Sequence, residues 1–256
     1  MISVALAVFN EEANLGDCLE SVRRLADEIV IVDGGSTDKT IAIARKYKAK
    51  IIQTNNPPIF HLNKQKAIDA CSGDWILQLD ADERVTPDLK KEILDITALP
   101  ASRDGYWLPR KNFFLGRYLT KGGQYPDYTL RLYRRGKGRL PCKSVHEQAV
   151  VAGSVGYLKQ PLLHLADPTF SRYLGRFDRY TGLIADELGE AKVKLNFTHF
   201  VSYFFCKPVG WFLMSFLRHR GYVDGFPGFV FSFFSALRFP VAYIKYYERQ
   251  NKKNGY

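Results

Sequence analysis

Three carboxylates, Asp80, Asp82 and Glu83, stand within four residues at the end of the apolar run in "WILQLDADERV". Like charges this close repel, so Asp80→Asn or Asp82→Asn is expected to leave the fold intact or slightly more stable. Two carboxylates on one turn, Asp80-Ala81-Asp82, suit a hard divalent cation: Mg2+ or Mn2+ takes oxygen ligands and shares its sphere with substrate phosphates. Such a cation would relieve the repulsion and stabilise a leaving diphosphate. A solvated acidic turn ahead of a helix is the plain alternative, and an Asp-x-Asp alone favours it.

Other residues shift the balance. Asp33 closes a second apolar run, "EIVIVD", and is followed by Gly34-Gly35-Ser36-Thr37-Asp38, where glycine lets backbone approach a ligand. The first apolar run ends in Phe9-Asn10-Glu11-Glu12 without a glycine-rich phosphate loop. Lys64 and Lys66 precede the acidic strand on a helical segment, able to face phosphates. His164 ends a later strand and reads as a structural histidine outside the metal set. Arg131 and Arg134 fall on opposite faces of one strand, so at most one of them faces the site.

The elements that must hold these residues follow from periodicity. Up to about Leu99, short apolar runs alternate with segments of helical period, the pattern of βαβ units and a parallel sheet buried on both faces. Asp33 and Asp80 then end strands on the carboxyl edge, where such sheets bind ligands. Thr86-Pro87 is a helix-start signal. After Leu99, "DGYWLPRKNFFLG", "PDYTLRLYRR", "SVHEQAVV" and "VGYLKQPLLHL" read as strands, and "PTFSRYLGRFDRYTGLIADEL" reads as a helix.

The chain has 256 residues, 46% hydrophobic, enough for one α/β domain and an appendage. Its four scattered cysteines fit reduced thiols of a cytosolic chain, and "MISVALAVFNEE" reads as a first strand, not a signal peptide. The net charge of +11 is uneven: from Phe197 onward eight Lys or Arg face two acids, among dense aromatics. An anionic membrane surface or nucleic acid would match that tail. Nucleic acid leaves Asp33, Asp80 and Asp82 unexplained, so no nucleic-acid partner is expected. Lys207-Pro208 and Arg238-Pro240 cut the apolar runs, which predicts interfacial helices rather than spans. Removing the tail before Phe197 is expected to yield a more soluble protein.

"VAVFNEEANL", "EIVIVDGGSTDKT" and "GDWILQLDADE", in this order and spacing, resemble the inverting family 2 glycosyltransferases of GT-A fold. "KNFFLGR", "PDYTLRLYRR", "VHEQ" and "GYVDGFPG" resemble a narrower group, the lipopolysaccharide-core β-glucosyltransferases and their cell-envelope relatives. The resemblance implies a mostly parallel central sheet flanked by helices over residues 1–196, divided into a nucleotide-sugar half (1–99) and an acceptor half (100–196). Residues 197–256 are expected to form the helical membrane-association region. It implies that Phe9, Asn10, Glu11 and Asp33 hold base and ribose, Lys64 a phosphate, and Asp80-Ala81-Asp82 the diphosphate, with Asp80 and Asp82 on the divalent cation. Many members carry a Glu-Asp pair as general base; here the counterpart is His146-Glu147, with Glu147 expected as the base, Asp127 as the rival carboxylate, and His146 as base, phosphate contact or packed strand residue. The implied reaction moves a hexose from a nucleotide diphosphate sugar, UDP-linked by expectation, to a lipid-linked or core saccharide at the cytoplasmic face of a bacterial inner membrane. A polyprenyl-phosphate glycosyltransferase or a sugar nucleotidyltransferase is the alternative.

Overall fold

Strands that are apolar on both faces can only lie inside a sheet. β1 (Ile2–Val8), β2 (Glu28–Asp33), β3 (Lys50–Gln53) and β4 (Trp75–Leu79) run parallel in the order β3-β2-β1-β4. The helices α1 (Leu15–Ser21), α2 (Thr40–Lys46) and α3 (His61–Asp69) make the crossovers. Alternate residues of β1 serve two cores: Val4 and Leu6 pack with Leu15, Leu19 and Leu77, whereas Ala5 packs with Val30, Ala67 and Ile68. The computed structural model describes every residue except Ala101, residues 143–147 and residues 254–256. His146 and Glu147 therefore lie outside the described residues.

Beyond β4 the sheet changes character. β5 (Glu83–Val85) follows the acidic turn directly, and α4 (Pro87–Thr97) starts where Thr86 Oγ1 accepts the Leu89 N–H at 3.1 Å. Then come β6 (Gly105–Phe114), β7 (Arg117–Tyr118), β8 (Asp127–Arg134), β9 (Gly138–Arg139), β10 (Val150–Val151), β11 (Val155–Tyr157) and β12 (Leu162–Asp167). The sheet continues β4-β8-β6-β12-β5, with β8 antiparallel to β4 and β6, and β12 antiparallel to β5. The sheet is thus mixed, parallel in its first half and mainly antiparallel in its second. No helix lies between β6 and β8 to carry a parallel crossover, so the chain returns antiparallel. The run "VGYLKQPLLHL" divides into β11 and β12 at Gln160-Pro161, where proline offers no N–H to a ladder.

The contacts divide the chain into residues 1–111 with 127–164, and residues 112–126 with 165–256. The compositional break near Asn196 falls inside the second unit. That unit holds α5 (Phe170–Glu190), α6 (Phe197–Val201), α7 (Lys207–Phe212) and α8 (Gly225–Lys253). Two π-helical turns, Ser202–Cys206 and Leu213–Arg218, flank α7. Neither expected break occurs. Pro208 directly follows the first π turn, in the first turn of α7, where the Pro ring costs little, and Pro240 lies inside α8.

Candidate active site

The carboxyl ends of β1 and β2 are laced together before any ligand is considered. Asn10 adopts φ 53°, a left-handed conformation that asparagine tolerates, and its Oδ1 accepts the Thr37 N–H at 2.8 Å. Ser36 Oγ accepts the Asn10 N–H at 2.9 Å, and Thr40 Oγ1 accepts the Glu11 N–H at 2.8 Å. Asp33 is 1% exposed; its carboxylate accepts the N–H groups of Gly35 and Ser36 and the Ser36 hydroxyl. Gly35, at φ +90°, permits that turn. Asp33 therefore shapes the floor of this edge, while Phe9 is 43% exposed above it.

The acidic tip has cations on every side. Asp80 Oδ1 pairs with Lys64 of α3, and Asp80 Oδ2 accepts from Arg131 of β8 at 2.6 Å. Lys64 also lies over the Phe60 ring, whereas Lys66 turns away to Thr54 Oγ1 at 3.2 Å. Glu83, fully buried, accepts the Asp80 N–H at 2.9 Å and the Arg131 guanidinium at 2.8 Å, with Arg110 3.8 Å away. Arg84 anchors the turn from outside by donating to the Ala81 carbonyl at 2.7 Å and to the Asn14 carbonyl at 2.9 Å. Burial pushes the Asp80 carboxyl upward, but Arg131 and Lys64 more than offset this and hold it well below the ordinary carboxylate range. The clustered carboxylates are thus partnered one by one.

Asp82 points elsewhere. Its Oδ2 lies 3.5 Å from His164 Nε2, and the β12–β5 register that brings His164 there sets it opposite Glu83. Among the described residues no three His, Cys, Asp or Glu side chains form a ready-made metal cage. One carboxylate and one imidazole nevertheless fit a divalent cation that completes its sphere with phosphate oxygens. In the sequence His164 reads as structural, because a single histidine carries no signal of its partner. The pairing of β5 with β12, eighty residues apart, supplies it.

Strand alternation places Asp127, Thr129 and Arg131 on one face of β8. Asp127 accepts from Arg110 Nε at 2.9 Å and Nη2 at 2.7 Å, and Thr129 Oγ1 donates to Gln148 Oε1 at 3.2 Å. Arg134, on the other face, stacks over Trp75 with 4.7 Å between guanidinium carbon and ring centroid. Arg110, Arg131 and the buried role of Glu83 were invisible as a set in the sequence. A buried glutamate needs a cation, and the two arginines that serve it come from later strands.

The family model for glycosyl transferase family 2 matches residues 3–147. The lipopolysaccharide core biosynthesis glycosyltransferase LpsC of Rhizobium meliloti is 32% identical, covering 93% of this chain and 91% of its own length. An uncharacterized glycosyltransferase of Rickettsia felis is 27% identical over 90% of this chain and 83% of its own. Among solved structures, S. aureus TarS 1-349 aligns with 100% of this chain and 92% of its own at a TM-score of 0.47 and 17% identity.

Proposed function

The chain belongs to glycosyltransferase family 2, and from that premise we propose that it transfers a hexose from a UDP-sugar to a lipopolysaccharide-core or other lipid-linked saccharide, with inversion. The observation that carries the donor part is the Asp80-Ala81-Asp82 turn at the carboxyl end of β4, with one carboxylate ion-paired and the other facing His164. The acceptor class rests on the likeness to LpsC. Phe9, Asn10 and Glu11 hold the base and ribose, positioned by the loop that Asp33 organises. Asp82 and His164 would hold a Mg2+ or Mn2+ ion, with Asp80 bordering it. Such an ion supplies positive charge to the leaving diphosphate. Lys64 and Arg131, already beside Asp80, add fixed positive charge on the phosphate side. Glu147 takes the proton of the attacking hydroxyl. Its neighbour Gln148 is tied to Thr129, whereas Asp127 is engaged by two Arg110 donors.

The test is thermal melting with Mn2+ plus UDP, alone and together, alongside UDP release from UDP-sugars. Wild type should gain several degrees with both ligands, and Asp82→Asn and His164→Asn should lose most of that gain and the turnover. An undiminished gain in both variants would remove this pair from the site.

A further inference from the structure

Three sides of α8 meet three different surroundings. At 100° per residue, Val230, Phe231, Phe234, Lys245 and Arg249 share a sector about 100° wide. That sector faces α5: the Phe234 ring meets Phe170, Tyr173 and Phe177, Lys245 donates to Asp178 at 2.7 Å, and Arg249 donates to Asp186 at 2.6 Å. Ser232, Ser235, Phe239 and Tyr243 fall in a second sector, about 80° wide, which faces the preceding helical segment. There Ser232 bonds Ser215, Trp211 donates to Ser235, and Tyr243 stacks on Tyr203. Phe226, Phe229, Phe233, Ile244 and Tyr247 fall within about 60°, and each is more than 40% exposed.

The preceding segment adds its own stripe. Phe205, Val209, Leu213 and Leu217 recur every fourth residue, close to one turn of a helix widened by π turns, and none is less than 47% exposed. Contacts of Phe229 with Phe212 and Phe216, and of Phe216 with Tyr222, join the two helices. By length and composition, Phe197–Arg218 and Gly221–Lys252 could each cross a membrane. The contacts at the turn between them oppose it. Asp224, 1% exposed, accepts the N–H groups of Thr120 and Lys121 at 2.8 Å and the Thr120 hydroxyl at 2.7 Å, with Arg117 at 3.3 Å. Gly122 donates to the His219 carbonyl at 2.9 Å. Charged residues are thus strapped to the turn by segment 112–126 and to the far half of α8 by α5. A hairpin spanning a hydrocarbon core of about 30 Å would carry one of these charged sets through it.

We infer that both helices lie in the plane of a bilayer bearing anionic lipid, with the two exposed stripes in the acyl region and neither helix crossing. This deepens the lipid-linked acceptor reading, on which its biological setting rests. Arg218 and Arg220 at the turn and Lys252 near the end of α8 are exposed, which suits anionic headgroups. Each charge inside the aromatic runs lies against a ring: exposed Lys207 stands 3.5 Å from the Tyr203 centroid and half-buried Arg238 3.9 Å from that of Trp211.

The full chain should float with phosphatidylcholine vesicles containing phosphatidylglycerol and bind less to vesicles without it. Leu217→Asp with Phe226→Asp should lower the vesicle partition coefficient at least about tenfold, with an unchanged melting temperature. Undiminished flotation would overturn the stripe. So would loss of a concentration-dependent dimer in the double variant without any vesicle binding by wild type, because a second copy would then be the cover. Arg220→Cys in a Cys206→Ser background should react with an impermeant maleimide only from the vesicle face to which the protein was added. Reaction from the opposite face alone means a span and overturns the in-plane arrangement. UDP release is read on the same samples: its failure with intact flotation counts against the proposed reaction alone.

Discussion

At the scale of single residues, the repulsion expected of Asp80, Asp82 and Glu83 is absent because each has found a partner. Both Asp80 oxygens are used, on Lys64 and Arg131. Asp80→Asn should therefore destabilise the protein, reversing the expectation drawn from the sequence. Breaking a fully buried pair costs about 3–5 kcal/mol; the Asp80 side chain keeps 25% exposure, so about 2 kcal/mol is expected by urea denaturation at pH 7. The folded-state value of this group lies below its ordinary 3.8, so ionised Asp80 contributes stability that is complete above that value. That contribution is lost as pH falls toward the folded value. The gap between wild type and Asp80→Asn should stay constant from about pH 5 to 8 and narrow below about pH 4. A gap that widens in acid would contradict the pairing. For the base, Glu147→Gln should cut turnover by about 10² or more at unchanged donor affinity. Asp127→Asn frees Arg110 and should act mainly on stability. Normal turnover in Glu147→Gln with loss in Asp127→Asn would transfer the role.

At the scale of elements, local signals were read well and distant partners were not. Thr86 caps α4 as its position before Pro87 foretold, because capping is decided within three residues. β5 escaped notice: three residues carry no period, and the strand exists through its ladder to β12. Lys207-Pro208 and Arg238-Pro240 looked like breaks because proline and charge are costly in isolated helices. Neighbouring rings and π turns remove that cost here. The same dependence on neighbours sets a prediction for Asp224, whose carboxylate gathers several donors of segment 112–126 at the start of α8. Asp224→Ala leaves the Thr120 and Lys121 N–H groups unsatisfied and should cost about 3 kcal/mol. Limited trypsin digestion should then cut after Lys121 far faster than in wild type; unchanged digestion would show that the segment is held by other contacts.

At the scale of the whole molecule, the parallel half was legible because each of its strands is bounded by turn residues and followed by a helix of clear period. The antiparallel half was read as strands without an order, since pairing of β4 with β8 is a long-range choice that hydrophobic pattern does not encode. The tail belongs to one compact unit with residues 112–126 and 165–196, a long-range association that composition likewise does not encode. Composition changes at Asn196, yet Phe114 and Leu119 share a core with Tyr173 and with Val230 of α8. A second core joins Ala185 and Leu188 of α5 to Tyr203, Tyr243 and Tyr246. Burial in the first of these clusters, beyond what nearby Arg176 offsets, pushes the Tyr173 phenol up to about 12. Truncation before Phe197 should therefore not release a soluble enzyme. It strips one side from both cores and leaves Phe114, Leu119, Tyr173 and Leu188 open to water, each worth about 1.5–3 kcal/mol of lost burial. That exceeds much of the 5–15 kcal/mol by which a typical domain is stable. The truncated chain should aggregate or melt well below the full chain in detergent-free buffer, whereas Leu217→Asp with Phe226→Asp should melt as wild type does. A truncated protein that is monomeric by sedimentation and melts at the full-chain temperature would mean that the tail packs too weakly to matter to folding.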